Sequence, residues 1–392
     1  MFRQQRFDRQ QEIWISRQEI STTPLMDYYR KLNAAADSFK FGDRVRAICE
    51  DYYCMDPSKG GRPGIDPEVY VKMLLIGFFE GIPSERGIAT RCADSLAIRD
   101  FLGFDLSDET PHHSSLSVIR QRLDESVYKE MFGLVLEALR AHKLLKGRHI
   151  GIDASVIEAN ASMKSLRDRM TQEGYWDYVK RLASEAGIDP NNSEAVRRFD
   201  KNRPDRKTSN KTWENAHDTD AKIGKTKRGS TRMIYKPEHI TDLETGAILD
   251  VDIRPGDEAD TAELAAKLFS AEERVNEAFG ADSDTKVFQS VTADKGYYKI
   301  SEFPSLHDEG IRVIISDPID NRRPEKLSKK ERASLYKARR ATRSKSGKAL
   351  LKSRGMHLER SFAHVLDHGG MRQTTLRGRE NILKRLWIAT PA

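Results

Sequence analysis

Two hydrophobic periods divide this sequence, and they predict an all-helical module followed by an α/β domain with a mixed sheet. Up to about residue 146 the apolar residues recur at helical spacing. At residue 148 the pattern changes: "RHIGIDASVIEAN" alternates, as a strand with one apolar face does. Beyond it, strand-like and helix-like segments interleave, which is the order of an α/β sheet. The 392 residues are 38% hydrophobic and 32% charged, so sizeable cores coexist with much solvated surface, and the length suits two or three domains.

The elements follow in chain order. Residues 1–60 form a polar N-terminal segment, partly helical through "PLMDYYRKLNAAADSF". "KGGRPG" (59–64) is a loop, and 61–146 form the helical domain. In "DPEVYVKMLLIGFFEG", Asp66 is the N-cap, Pro67 the first helical residue and Gly81 the stop. "SDETPHHSSLSVIRQRL" starts another helix with Ser114 or Ser115 as cap, and "SVYKEMFGLVLEALRAHKLL" carries Val127, Met131, Leu134, Val135, Ala138 and Leu139 on one face. Residues 147–392 form the second domain. "TRMIYKPEHITDLETGAILDVDIRPG" is a hairpin turning at "LETGA". "DEADTAELAAKLFSAEERVNEAFG" is an amphipathic helix with acids in its first turn, and Val287–Ala293 a buried strand ending on Asp294-Lys295-Gly296. A short helix and a last strand, "IRVIISDP", complete the sheet. Residues 161–230, too long for an ordinary loop, are a basic polar insertion with a helical part at "EGYWDYVKRLASEAG".

The charge is unevenly spread. The chain has 67 Lys and Arg against 60 Asp and Glu, a net charge of +7. Residues 197–236 hold 13 Lys/Arg against 5 Asp/Glu, and residues 319–360 hold 15 against 4. Such blocks point to a polyanionic partner or, in the plainer reading, to solvated surface. Cys49, Cys54 and Cys92 match no zinc spacing and no disulfide framework, as suits a reducing cytosol. No apolar run is long enough for a membrane span, and "MFRQQRFDRQQEIW" lacks the apolar stretch of a signal peptide. A cytoplasmic protein is expected.

Three acids stand out by position. Asp153 lies on the first strand and Asp294 ends a later one. Glu359 borders the apolar stripe Leu358, Phe362, Val365 and Leu366 of a helix. Carboxylates meeting at one end of a sheet would select Mg²⁺ or Mn²⁺. Asp317, ending the last strand, is the rival ligand.

At these residues the chain resembles the bacterial insertion-sequence DDE transposases. The resemblance is carried by "GIDASVIEANAS" (151–162), "YKPEHITDLETGAI" (235–248), "TADKGYY" (292–298) and "ERSFAHVLDHGGMRQTTLRGRENILKR" (359–385). Residues 61–123 resemble the helical N-terminal domain of the same proteins, which serves DNA-end binding or assembly. The resemblance implies an RNase H-like core, two divalent ions, and cut-and-paste transposition in a bacterial, nucleoid-associated setting by a homodimer or higher assembly on DNA. It assigns Asp153, Asp294 and Glu359 as catalytic metal ligands, with Gly296 letting the backbone turn away beneath Asp294. DNA contacts are expected at Arg120, Arg122, Lys207, Lys211, Lys236, Arg354, Arg360, Arg372, Arg377 and Arg379. Trp213 would stack on a base or anchor the insertion.

Two departures stand against the family pattern. Arg354 precedes Glu359 by five residues where many members have four, and no Lys lies seven residues after it. The chain also stops at "LWIATPA", where relatives usually run on, so a truncated C-terminus belongs to this reading. A metal-dependent nuclease without strand transfer, and a catalytically inactive DNA-binding relic, are the alternatives.

Overall fold

A computed structural model describes residues 22–53, 64–206, 208–226, 229–258, 263–281, 285–318 and 327–390. The N-terminal part is helical throughout: α1 (Pro24–Ser38), α2 (Phe41–Cys49), α3 (Pro67–Phe79), α4 (Glu85–Asp94), α5 (Leu96–Leu102), α6 (His113–Arg122) and α7 (Glu125–Ala141). Helix α3 begins as its sequence requires: the Asp66 carboxylate accepts from Glu68 N at 2.8 Å and Pro67 opens the first turn. Gly81 closes it with φ +63°. The α6 cap is His112, whose ring accepts from Ser114 N; neither serine takes that role. Helices α1 and α2 pack on α5, α3 and α7, with Tyr29 stacked on Phe101 at 4.6 Å, so part of the 1–60 segment shares the helical core.

The sheet begins at β1 (His149–Ala154), followed by the short β2 (Ile157–Glu158). The insertion supplies β3 (Leu166–Asp168), α8 (Tyr175–Glu185), α9 (Ser193–Asn202), β4 (Trp213–Asn215) and β5 (Lys222–Lys225). Then come β6 (Thr231–Asp242), β7 (Ile248–Pro255), α10 (Leu264–Phe279), β8 (Ser290–Ala293), α11 (Phe303–Asp308) and β9 (Arg312–Ile315). Helices α12 (Lys329–Arg343), α13 (Lys345–Phe362) and α14 (Arg379–Ala389) complete the chain, with a π-helical stretch at Ala363–His368.

Strand β6 pairs antiparallel with β7 on one side and β1 on the other. Strand β8 pairs parallel with β1, and β9 parallel with β8. The sheet therefore reads β7-β6-β1-β8-β9, three strands joined by antiparallel pairings followed by two added in parallel beyond β1, the RNase H-like order expected from the sequence. Helix α13 crosses one face so closely that a Cβ at Gly151 would meet Leu358 at 3.2 Å and Arg354 at 3.3 Å.

Several expectations are corrected. Strand β8 starts at Ser290; before it, the N–H groups of Val287 and Phe288 donate instead to the Glu272 carboxylate, both at 2.8 Å. Helix α10 starts at Leu264 with no acid in its first turn. The insertion is folded in large part rather than merely polar, and its centre is Trp213. That side chain is 5% exposed, with the Tyr175 and Tyr178 rings at 4.9 and 5.5 Å, so it anchors the insertion and is not free to stack on a base. Helices α12 and α13 meet at one residue. Ser344 ends the first, and its Oγ caps the second by accepting from Gly347 N at 3.0 Å.

Candidate active site

Because β1 and β8 run parallel with Ile152 opposite Ala293, Asp153 and Asp294 occupy the next positions, side by side at the strands' C-terminal ends. Adjacent strands lie about 4.8 Å apart, and that edge is where open α/β sheets place their ligands. Asp153 is half-buried; its Oδ2 accepts from Arg354 Nη1 at 2.9 Å and its Oδ1 from Ala154 N at 2.9 Å. Burial raises its carboxyl above the ordinary range, with Asp294 adding to the rise; Arg354 and the Ala154 N–H oppose it.

Asp294 is exposed at the start of the 3₁₀ turn Lys295–Tyr297. Gly296 lies inside that turn, so the left-handed freedom expected of it is not what bends the chain. The turn is pinned from below instead. Tyr297 N donates to the Asp294 carbonyl at 3.0 Å, and Tyr297 Oη donates to Glu238 Oε1 at 2.7 Å. Glu238 is 2% exposed and also accepts from Arg254 at 3.0 Å and Lys267 at 2.5 Å. Sequence reasoning missed this buried cluster. Its only signal was an acid within a central strand otherwise buried on both faces.

Glu359 sits on α13 beyond Arg354, exposed to solvent. At 100° per residue it lies about 140° round the helix from Arg354, on the outer side and away from His357. Among the described residues, no three His, Cys, Asp or Glu side chains are placed to hold a metal ion together. The donor chemistry suits hard divalent ions, being all carboxylate oxygen. Asp153 and Asp294 end neighbouring parallel strands, while Glu359 stands outward of them. The rival Asp317 is spoken for: Arg339 Nε of α12 donates to its Oδ2 at 2.7 Å.

The expected DNA contacts divide sharply. Arg122, Lys211, Arg360 and Arg377 are exposed, though Arg122 lies over the Tyr53 ring and Arg377 donates to the Asn160 carbonyl at 3.1 Å. Arg120 is withdrawn from solvent: it pairs with Glu85 and donates to Asn381 at 3.2 Å, which corrects its assignment to a DNA-facing surface. Arg354 is spent on Asp153. Arg379 bonds Asp252 at 2.6 Å, Lys236 bonds the Glu258 carbonyl at 2.7 Å, and Arg372 holds Asp367 at 2.8 Å and Ser155 at 3.1 Å, two residues beyond Asp153. Lys207 and Cys54 lie outside the described residues.

Both parts of the molecule, the helical module and the carboxylate-edged sheet, have counterparts among known families. A family model for a transposase domain matches residues 20–122, and one for a transposase DDE domain matches residues 208–392. The chain belongs to the insertion-sequence DDE transposases. Asp294 and Glu359 fall within the second match, and Asp153 precedes it. Among curated proteins and among solved structures, none matches the chain. No helix among the described residues is long and apolar enough to cross a membrane.

Proposed function

We propose that this transposase binds the ends of its element, hydrolyses a phosphodiester there and joins the released 3′-hydroxyl to target DNA, as an assembly of two or more copies on the DNA. The observation that carries the reading is the Asp153–Asp294 pair, two carboxylates at neighbouring ends of parallel strands, with the Arg354 guanidinium on Asp153. Asp153 and Asp294 would hold the divalent ions, two Mg²⁺ or Mn²⁺, and Glu359, which stands outward of them in this structure, would become the third ligand only by turning inward. Bound there, such ions activate an attacking oxygen and stabilise the leaving one. The protein's own contribution is placement: Tyr297 and Glu238 fix the turn under Asp294, and α13 carries Arg354 and Glu359 across the same sheet. The rate would come from positioning and charge neutralisation rather than from a covalent intermediate.

The test is a nicking and strand-transfer assay on duplex DNA from either side of the gene, with Mg²⁺, with Mn²⁺ and with a chelator. Metal-dependent nicking followed by joining supports the reading, and nicking without joining leaves a nuclease. The Arg354 bond to Asp153 favours a second reading, a DNA-binding relic whose site is held shut by its own arginine. DNA binding with no nicking under either metal would establish that one instead.

A further inference from the structure

Helix α12 has two contrasting sides. Its inner side is fixed to the end of the sheet: Leu335 and Ala338 are buried, Arg339 holds Asp317, and Thr342 Oγ1 donates to the Ile315 carbonyl at 3.3 Å. A capping box of Ser328 and Glu331 fixes its start. Its outer side carries Lys329, Arg332, Arg340 and Arg343, all exposed and none with an ion-pair partner among the described residues. At 100° per residue these four fall within an arc of about 80°, and at 1.5 Å per residue they span about 21 Å. Tyr336, 47% exposed, stands in the same arc. The helix's single acid, Glu331, is on another side and engaged in the cap.

Helix α13 continues the pattern from the other side of Ser344. Lys345, Lys348 and Lys352 are exposed, without ion-pair partners among the described residues, and fall within an arc of about 60°. Extended along the helix, that arc arrives at Glu359. Between them lies Gly355, where even a Cβ would meet nothing within 4 Å. Arg343 and Lys345 flank the junction, so the two tracks are contiguous there.

Two open rows of cations without acids among them match a regular polyanion. The length of the α12 row covers roughly six steps of a duplex at 3.4 Å per step. A tyrosine hydroxyl is a further donor for phosphate oxygens. We infer that the α12–α13 elbow is a docking surface for the phosphate backbone of duplex DNA, with the α13 row leading the bound strand toward Glu359. The inference rests on the transposase reading and locates one surface that reading leaves open.

The experiment compares three full-length proteins in titrations of duplex DNA across a salt series. One is wild type. One carries Arg340→Gln, Arg343→Gln, Lys345→Gln and Lys348→Gln. The third carries the same loss of charge at exposed lysines elsewhere, Lys31→Gln, Lys40→Gln, Lys143→Gln and Lys146→Gln. Removing four phosphate contacts should make the log–log salt slope shallower by about 3.6 in the elbow variant. The third protein should keep the wild-type slope. The substituted side chains are exposed, so thermal unfolding should coincide for all three. If wild type binds steeply and the elbow variant matches the control, DNA lies elsewhere on the protein and this surface is wrong while the reading survives. If wild type shows no salt-dependent duplex binding, the transposase reading fails and takes the surface with it.

Discussion

Glu238 and Asp153 lie on neighbouring strands of one sheet, yet their charges are treated in opposite ways. Glu238 pairs in register with Ala154, one residue beyond Asp153, so the alternation of the strand sends it to the other face. There it is sealed from water and met by Arg254, Lys267 and Tyr297. Asp153 keeps a third of its side chain exposed and has one cation, with Asp294 beside it adding negative charge. A carboxylate whose oxygens are filled by the protein belongs to the framework. Asp153 and Asp294, at the sheet's mouth, have their charges only partly met by the protein. Charge saturation, more than burial, separates the two.

Substitutions on each side would break or sharpen this contrast. The largest effect is expected at the undersatisfied pair. Asp294→Asn keeps shape and removes charge, so cleavage of a DNA end should fall roughly 10³–10⁴-fold, the several kcal/mol such ions contribute to a transition state. Duplex affinity should hold or rise. A variant that cuts at the wild-type rate would make Asp294 no more than a strand's polar tip.

Glu238→Ala should act the other way, on the fold. Of the described ion pairs, the buried Arg254 would keep only the longer contact to Glu258 at 3.8 Å and the half-buried Lys267 only that to Asp252 at 3.8 Å, costing about 3 kcal/mol in chemical denaturation. Unchanged stability would remove the distinction drawn above.

His239, opposite Asp153 in register, tests the same face by pH. It is fully buried against Phe362, with Ser361 Oγ at 3.1 Å, and burial pushes its imidazole pKa down to about 3. The unfolded chain binds that proton near pH 6.5, before the folded one does. Stability is therefore intact above about pH 6.5 and lost as pH falls toward 3, at up to about 1.4 kcal/mol per pH unit. His239→Gln should flatten that slope, and an equal slope in the variant would assign the loss to other groups.

The smallest effect is expected at Arg354. Because Asp153 stays partly solvated, Arg354→Gln should change stability by about 1 kcal/mol or less. A loss matching that of Glu238→Ala would show Asp153 to be a framework acid as well.

The sequence carried the outline of this fold because its signals were local. Asp66 and Pro67 announce a helix start, and the change to alternation at residue 148 announces β1. The neighbouring positions of Asp153 and Asp294 followed from two strand ends brought together by a parallel sheet. What stayed hidden depended on distant partners. Trp213 lies in a basic stretch, and only Tyr175 and Tyr178, more than thirty residues away, show that it is buried. Arg120 has the spacing of a surface cation, and its partner Asn381 is 261 positions along the chain. Glu238 carries only a faint local mark of burial, its place within a central strand, because its cations come from β7 and α10.

The single residue between α12 and α13 has a mechanical consequence. Ser344 is held by both helices, and a Cβ at Gly347 would run into the Ala341 carbonyl, so the corner is packed to contact. Such an elbow has no slack. A displacement of α12 would therefore carry α13 with it, and with α13 the Arg354 side chain that rests on Asp153.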